Sequence, residues 1–271
     1  MADPIILTNR IGNVLEIVLN RPPVNAINRE MSRAIYAALR TLQDDPELSV
    51  GVIIGSGERV FSAGWDLKDV AASDFDAAAD ANNELGHGAG GFAGITEYHG
   101  LLKPVVAAIN GVAIGGGFEM ALACDMIVAS DQAYFELPEM QRGFLADSGA
   151  IQRLPKRIPY NVAKDMLLTG RRMTAKEALK WGLVCSVHES ADLRDAALDL
   201  AMHIGKGAPL ALQAMKEVLN HIETLPTAEA LSLTKPGKSG LTMYERMAHS
   251  EDFLEGPRAF VEKRQPIWKG R

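Results

Sequence analysis

Apolar positions in the first part of the chain form short runs separated by one helical stripe. Branched apolar runs at 14–19 and 50–54 are typical of buried strands, and Asn28 can cap a helix between them. The apolar residues of that helix recur at helical spacing on one face: Met31, Ile35, Leu39 and Leu42. A further strand at 5–8 completes a hairpin with 14–19. This pattern predicts strand, helix and strand in succession, which indicates an α/β core.

The same alternation of predicted strands and helices continues further along the chain. An apolar run at 104–109 predicts a buried strand that ends at the turn Asn110-Gly111, and another strand is predicted at 126–129. A short helix is predicted at 92–102, before the first of these strands. Helices dominate the last part, and the pattern predicts them at 192–204, 209–224, 239–248 and 252–264. We therefore predict a core over 1–200 and a helical C-terminal region over 201–271.

A glycine cluster lies between the strand at 104–109 and a segment of good helix formers. Gly115, Gly116 and Gly117 stand where this helix would begin. The first N–H groups of a helix have no intrahelical acceptor, so they can stabilise a developing negative charge if no side chains crowd the approach. Glu119 follows the glycines, and Glu139 follows the next short strand. Two acids are thus predicted to flank one anion-stabilising loop.

Composition narrows the function classes. The 271 residues carry a formal net charge of −6, which argues against a nucleic-acid surface, and nearly half of them are apolar. The two cysteines, Cys124 and Cys185, lie far apart in apolar segments, so we interpret them as reduced core residues. Neither a signal peptide nor a membrane span is predicted, and we expect a cytoplasmic protein.

Several common motifs fail at a required position. A dinucleotide-binding fingerprint would need a small residue at Met120, and a phosphate-binding loop would need lysine at Gly117. The six histidines show no metal-ligand spacing. A nucleophile elbow at Ser148 would need glycine two residues before and two residues after the serine, where Ala146 and Ala150 stand. Nucleotide binding, a metal centre and serine nucleophilic catalysis are therefore not predicted.

A set of motifs instead follows one order along the whole chain. They are Leu-Asn-Arg-Pro at 19–22, Asn-Ala at 25–26, Phe-Ser-Ala-Gly-Trp-Asp-Leu at 61–67, Asn-Gly at 110–111, Gly-Gly-Gly-Phe-Glu at 115–119, Pro-Glu at 138–139, and Ser-Glu-Asp with Glu-Gly at 250–256. In these motifs the chain resembles the enoyl-CoA hydratase/isomerase, or crotonase, superfamily. The segments at 64–68 and 90–97 and the ending Pro-Ile-Trp-Lys-Gly-Arg are most similar to carnitinyl-CoA dehydratases.

The resemblance implies a fold, an assembly and a site. The fold would be a crotonase-like spiral of repeated β-β-α units with a helical C-terminal trimerisation region, assembled as a homotrimer or as a hexamer of two trimers. The substrate would be an acyl-CoA thioester whose carbonyl oxygen accepts hydrogen bonds from the backbone N–H groups of Trp65 and Gly116. Glu119 and Glu139 would be the hydratase acids. No separate cofactor or metal is implied, because coenzyme A is part of the substrate.

Hydration of a double bond beside a thioester needs an activated water, a proton for the α carbon and stabilisation of an enolate oxygen. We assign Glu119 as the base that activates water at the β carbon and Glu139 as the acid that protonates the α carbon, with the roles reversed for dehydration. Taken from the residues alone, Glu119 could instead complement the helix dipole, and Glu139 could simply follow the helix-starting Pro138. Because both acids stand at the positions where the resemblance expects the catalytic acids, we favour the catalytic interpretation over the structural one.

The resemblance also implies where the substrate body lies. Coenzyme A would contact the residues Ala63, Gly64, Asp66, Leu67 and Lys68, with Phe260 and Lys263 of the last helix reaching it from the same or a neighbouring subunit. Two departures bear on binding. Pro23 stands where many relatives have a cation for the coenzyme A phosphates, and Ala146 and Ala150 replace the proline and glycine that relatives often have.

The acyl group is less constrained by the motifs. A carnitinyl or crotonobetainyl group carries a quaternary ammonium, for which the candidate contacts are Phe92, Glu97, Tyr98 and Tyr134. A loop at 71–91 would shape the pocket. The alternatives are a general enoyl-CoA hydratase, a double-bond isomerase using Glu139 alone, and a protein of another class that binds acyl-CoA without catalysis.

Overall fold

The computed structural model describes residues 3–68 and 86–271, and most of the predicted loop at 71–91 lies outside these ranges. Two sheets form the centre of the molecule. The larger sheet has six strands in the order β1-β2-β3-β5-β7-β10, parallel except for the β1–β2 hairpin. Its strands are β1 (Ile6–Ile11), β2 (Val14–Leu19), β3 (Val50–Gly55), β5 (Val105–Ile109), β7 (Met126–Ser130) and β10 (Ser186–His188).

The smaller sheet contains four short strands in the order β4-β6-β8-β9. They are β4 (Val60–Ser62), β6 (Val112–Ile114), β8 (Tyr134–Glu136) and β9 (Met173–Thr174). From β3 to β8, successive strands alternate between the two sheets, so the chain advances as a spiral. This arrangement confirms the predicted α/β class and crotonase-like spiral.

The corner between the two sheets depends on Asn110, at the predicted turn. Its side-chain Oδ1 accepts the N–H of Gly55 at 3.0 Å, and its Nδ2 donates to the carbonyl of Gly57 at 2.8 Å. Because the side chain satisfies backbone groups of the neighbouring corner, consecutive turns of the spiral are tied together.

The described helices flank the sheets. They are α1 (Arg29–Asp44), α2 (Gly116–Ala123), α3 (Ala150–Arg157), α4 (Tyr160–Thr169), α5 (Ala175–Trp181), α6 (Leu193–Ile204), α7 (Pro209–Ile222), α8 (Thr227–Ala230), α9 (Thr242–Ala248) and α10 (Glu251–Glu262). Short 3₁₀ turns occur at Phe92–Gly94, Glu139–Arg142 and Leu231–Thr234. None of the helices described is both long and apolar enough to cross a bilayer.

Helix α1 bears out the sequence pattern closely. The side chain of Asn28 accepts the N–H of Met31 at 2.9 Å, which caps the helix, and the predicted apolar stripe is buried. The main core lies between this stripe, the two sheets and α2, while α6 covers the other face of the large sheet.

Three expectations differ from the structure or stay open. The segment 92–102, predicted as a short helix, forms only the 3₁₀ turn and irregular turns around its two φ > 0 residues, Ala93 and Gly94. Cys124 is buried as expected, but Cys185 is exposed. The boundary predicted at residue 200 lies inside α6 and stays a prediction.

Candidate functional site

A cavity of about 440 Å³ opens where α2 begins. It combines apolar and aromatic side chains with several titratable groups. The lining residues are Ala63, Trp65, Leu67, His87, Gly91, Phe92, Glu97, Gly115, Gly116, Glu119, Glu139, Arg142, Phe144, Leu145, Asp147 and Ser148. Both predicted catalytic acids and both predicted N–H donors are therefore brought to one place.

The first donor comes from the start of α2. Strand β6 delivers the chain to Gly115, and Gly116 is the first helical residue, so its N–H has no acceptor within the helix. The glycine at 116 also gives room for the neighbouring Phe92 ring, with which a Cβ atom would collide. A bare backbone amide thus faces the cavity at the positive end of the helix dipole.

The second donor is brought alongside by Gly64. A Cβ atom at Gly64 would lie 2.5 Å from the carbonyl oxygen of Ile114 and 2.7 Å from the nitrogen of Gly116, and its φ of +82° also requires glycine. This close approach places Trp65, the next residue, beside the start of α2. Only a glycine allows the two backbones to come this near.

Backbone pairing orients the Trp65 N–H. Trp65 forms a parallel bridge with Ile27, in which the N–H of Ile27 donates to Gly64 at 2.7 Å and the N–H of Asp66 donates to Ile27 at 3.0 Å. In a parallel bridge the central residue points its own N–H to the opposite side. The Trp65 N–H therefore points away from Ile27, and its indole packs edge-to-face on Phe144 with ring centroids 6.0 Å apart.

Glu119 lies on the first turns of α2 and is 4% exposed. Its Oε1 accepts the N–H of Ala150, at the start of α3, at 3.0 Å. Burial raises the pKa of this carboxyl to about 7, and the negative charges of Glu139 and Asp147 raise it further, against the lowering effect of the Ala150 N–H. The carboxyl is thus poised to gain or lose a proton near neutral pH.

Glu139 begins the 3₁₀ turn that follows Pro138 and is 6% exposed. Burial raises the pKa of its carboxyl, while its own backbone N–H and, to a smaller extent, the guanidinium of Arg142 oppose the rise. Its Oε2 is buried, and no hydrogen-bond partner for it occurs among the residues that the structure describes. A Cβ atom at Gly115 would lie 2.5 Å from its Oε1, so the glycine cluster also makes room for this acid.

The predicted coenzyme A contacts divide into two groups. Ala63 and Leu67 line the cavity, whereas Gly64 is buried and Lys68 is exposed to solvent. Asp66 forms an ion pair with Arg21 at 2.6 Å, which anchors this segment. Phe260, 84% exposed on α10, and Lys263, which ends it, do not line the cavity of their own chain.

The candidates for a quaternary ammonium contact also divide. Phe92 and Glu97 line the cavity. Tyr98 instead packs on Tyr36 with ring centroids 4.9 Å apart, and Tyr134 lies under the guanidinium of Arg172 at 4.5 Å. The two tyrosines therefore belong to other contacts.

Some lining residues escaped the sequence reasoning. His87, one of the six histidines without metal-ligand spacing, is buried in the cavity wall, with Nδ1 2.7 Å from the Ser32 hydroxyl and its ring 5.0 Å from that of Phe92. Asp147 also lines the cavity. The loop of small residues directly before a helix could have indicated Asp147 as a site residue, whereas no nearby sequence feature indicated His87.

Within residues 3–68 and 86–271, no group of three or more His, Cys, Asp or Glu side chains is arranged to hold a metal ion. The arrangement consists of two buried carboxyls that share a cavity with two backbone N–H groups, and it can move protons beside a developing oxyanion.

Comparisons with known proteins agree with this chemistry. Residues 9–271 match the family described as Enoyl-CoA hydratase/isomerase. The chain is 51% identical to a carnitinyl-CoA dehydratase of Proteus mirabilis (strain HI4320) and 48% identical to one of Salmonella enteritidis PT4, in each case over the full length of both chains.

Solved structures show the same relationship. An enoyl-CoA hydratase from Mycobacterium tuberculosis H37Rv superposes with a TM-score of 0.88 at 34% identity, covering 99% of this chain and 100% of that one. A probable enoyl-CoA hydratase/isomerase from Mycobacterium abscessus gives a TM-score of 0.85 at 38% identity over the whole of both chains.

Proposed function

The chain belongs to the enoyl-CoA hydratase/isomerase family and is a hydro-lyase of acyl-CoA thioesters, and from this premise we propose that it interconverts carnitinyl-CoA and crotonobetainyl-CoA. The family match confirms the resemblance that the sequence motifs indicated. The proposed acyl group is supported by full-length relatives at about half identity that carry the name carnitinyl-CoA dehydratase.

The observation that carries the mechanism is the pair of buried carboxyls beside the start of α2. The thioester carbonyl oxygen accepts hydrogen bonds from the N–H groups of Trp65 and Gly116, which stabilise the enolate as charge develops. Loss of one such donor typically costs about 3 kcal/mol of transition-state stabilisation. Glu119 takes a proton from water as it adds to the β carbon, and Glu139 gives a proton to the α carbon.

Differences between the two carboxyls support this division of roles. The N–H of Ala150 donates to Glu119 and favours its anionic form, which suits the base. Burial raises the pKa of both carboxyls, but the Oε2 of Glu139 lies buried and without a hydrogen-bond partner among the described residues, which favours the protonated form of this acid. A neutral carboxyl in the cavity wall is suited to deliver a proton to substrate. In dehydration both transfers run in reverse.

Substrate binding extends beyond the acyl group. Coenzyme A follows the segment from Ala63 to Lys68, and Phe260 and Lys263 contact it from a neighbouring copy in a homotrimer or hexamer. The exposed apolar side chains of α10 support such an assembly: Phe253, Leu254, Phe260 and Val261. The enzyme needs no separate cofactor in this proposal, and it acts in the cytoplasm.

A side-by-side assay tests the proposal. Purified protein is given crotonobetainyl-CoA or crotonyl-CoA, and hydration is followed by loss of the conjugated thioester absorbance. We expect a higher kcat/KM with crotonobetainyl-CoA. A clear preference for crotonyl-CoA would instead indicate a general enoyl-CoA hydratase, and no hydration of either would contradict the proposed reaction.

Two variants test the assigned carboxyls. Glu119→Gln and Glu139→Gln keep the size of each side chain, and each should lower turnover by roughly 10²- to 10⁴-fold, the usual contribution of a positioned acid or base. The matched control is Glu136→Gln, because Glu136 pairs with Arg172 at 2.8 Å and does not line the cavity. Near-normal turnover in either cavity variant would remove that residue from the mechanism.

A further inference from the structure

The cavity contains two carboxylates that the proposed mechanism does not use. Glu97 and Asp147 both line it, in addition to Glu119 and Glu139. Both residues are exposed to solvent, and neither side chain forms an ion pair or a hydrogen bond with any residue that the structure describes. Arg142 is the single lysine or arginine among the described lining residues. The cavity is therefore biased toward negative charge by groups that are not needed for proton transfer.

Asp147 lies close to the reacting centre. It belongs to the loop between the 3₁₀ turn that carries Glu139 and helix α3, whose first N–H holds Glu119. Its negative charge adds to the rise in the pKa of both glutamates, which is consistent with its place in the same cavity wall. A group attached to the reacting carbons would come within the field of Asp147.

Glu97 is held at the cavity by its packing on Gly91. Its N–H donates to the carbonyl of Gly90 at 2.9 Å, and a Cβ atom at Gly91 would lie 2.8 Å from both Cβ and Cγ of Glu97. The side chain thus lies directly over a glycine that has no side chain to displace it. The adjacent Phe92 also lines the cavity, and its ring lies against Gly116.

Aromatic rings accompany the two carboxylates. Phe92, Trp65 and Phe144 all line the same cavity, and aromatic faces attract cations, most strongly where water is excluded. A quaternary ammonium has no N–H to donate, so charge and aromatic faces are the means of recognising it. Solvent-exposed carboxylates in a cavity that aromatic rings also line match that requirement. The guanidinium of Arg142, in contrast, lowers the pKa of Glu139 and so acts on that acid.

We propose that Asp147 and Glu97 are the counter-ions for a permanently cationic acyl group, and that they make this enzyme discriminate against neutral acyl chains of the same shape. The inference rests on the proposed function and adds the residues that select its substrate. A cationic group beside the carboxylates gains Coulomb attraction as it enters the cavity. A neutral chain would remove water from the two carboxylates without any compensating Coulomb attraction.

A matched pair of substrates isolates this effect. One is crotonobetainyl-CoA, and the other is its neutral isostere, in which a tert-butyl group replaces the trimethylammonium group. The measured quantity is the ratio of kcat/KM for the cationic substrate to that for the neutral one. Changes in the catalytic glutamates affect both substrates alike and cancel in this ratio.

The wild-type ratio should exceed one. Asp147→Asn should lower it by about tenfold, the effect of one charge pair of moderate strength, and Glu97→Gln should lower it in the same direction. Asp147→Glu, which keeps the charge, should retain most of the preference. Asp199→Asn is the control, because Asp199 is exposed on α6 away from the cavity and makes the same change in net charge.

The outcomes separate this inference from the proposed reaction. If Asp147→Asn and Glu97→Gln hydrate both substrates with an unchanged ratio, the counter-ion assignment is overturned while the hydratase chemistry stands. If the wild-type enzyme hydrates neither substrate, the proposed reaction fails and the counter-ion assignment fails with it. Because Glu97 and Asp147 are on separate segments, failure of one variant to fold still leaves the other to decide.

Discussion

Replacement of Glu119 by glutamine tests whether burial controls the ionisation of this carboxyl. Its pKa rises from an ordinary 4.5 to about 7 in the folded protein, chiefly because it is buried. Such a rise means that the charged form destabilises the folded state by about 3 kcal/mol once the pH exceeds both values. Glutamine keeps the acceptor for the Ala150 N–H and carries no charge, so the variant escapes this cost.

The sign of the pH dependence follows from the order of titration. Below about pH 4.5 the carboxyl is neutral in both states and contributes no difference. Between about pH 4.5 and 7 the unfolded chain ionises first, so the wild-type protein loses stability relative to the variant. Above about pH 7 the difference is complete and constant. Glu119→Gln should therefore be more stable than the wild type at alkaline pH, although it is far less active.

Denaturant or thermal unfolding of both proteins at two pH values measures the effect. The stability difference should grow by about 2 to 3 kcal/mol between about pH 5 and pH 8, which corresponds to a relative Tm gain on the order of 3 to 5 °C for a chain of this size. The measurement at lower pH serves as the internal reference for any change in packing. A difference that does not vary with pH would refute the burial argument.

The remaining predictions concern the second acid and the oxyanion donors. The turnover left in Glu139→Gln should lose its dependence on the acid form of residue 139, so its pH–rate profile should lack one limb of the wild-type curve; an unaltered profile would argue against the acid role. Gly64→Ala should lose both stability and roughly 10²- to 10³-fold in kcat, because its Cβ atom would displace the Gly116 amide, 2.7 Å away. Its control is Gly57→Ala, which has a similar φ of +75° but open space around the added Cβ atom, and equal turnover in the two variants would contradict the assignment of the oxyanion donors.

Local patterns predicted the parts of the fold whose determinants lie close together in the chain. The cap at Asn28 and the stripe beginning at Met31 are separated by three residues, and both appear in the structure. The small sheet was largely missed because its strands have two or three residues, too few to show a period. Those strands exist because each pairs with the next turn of the spiral.

The residues of the candidate site also differ in how far local sequence could predict them. Glu119 follows Gly115 by four residues on one helix start, so the sequence by itself could associate an acid with bare N–H groups, and the matching motifs added Glu139 and Trp65. Their proximity is now visible, whereas their catalytic roles stay proposals. Phe260 and Lys263 do not reach the cavity within one chain, and their contact with coenzyme A remains a prediction.

The sequence determined the family and the reaction class and predicted which two acids take part, because these depend on residue types in a fixed order along the chain. Only the tertiary structure decided which other charges share the cavity. Glu97 and Asp147 are fifty residues apart and belong to no common motif, yet the fold brings both into the wall of one cavity. Electrostatic interactions depend on distance through space, so this part of the chemistry could not be derived from spacing along the chain.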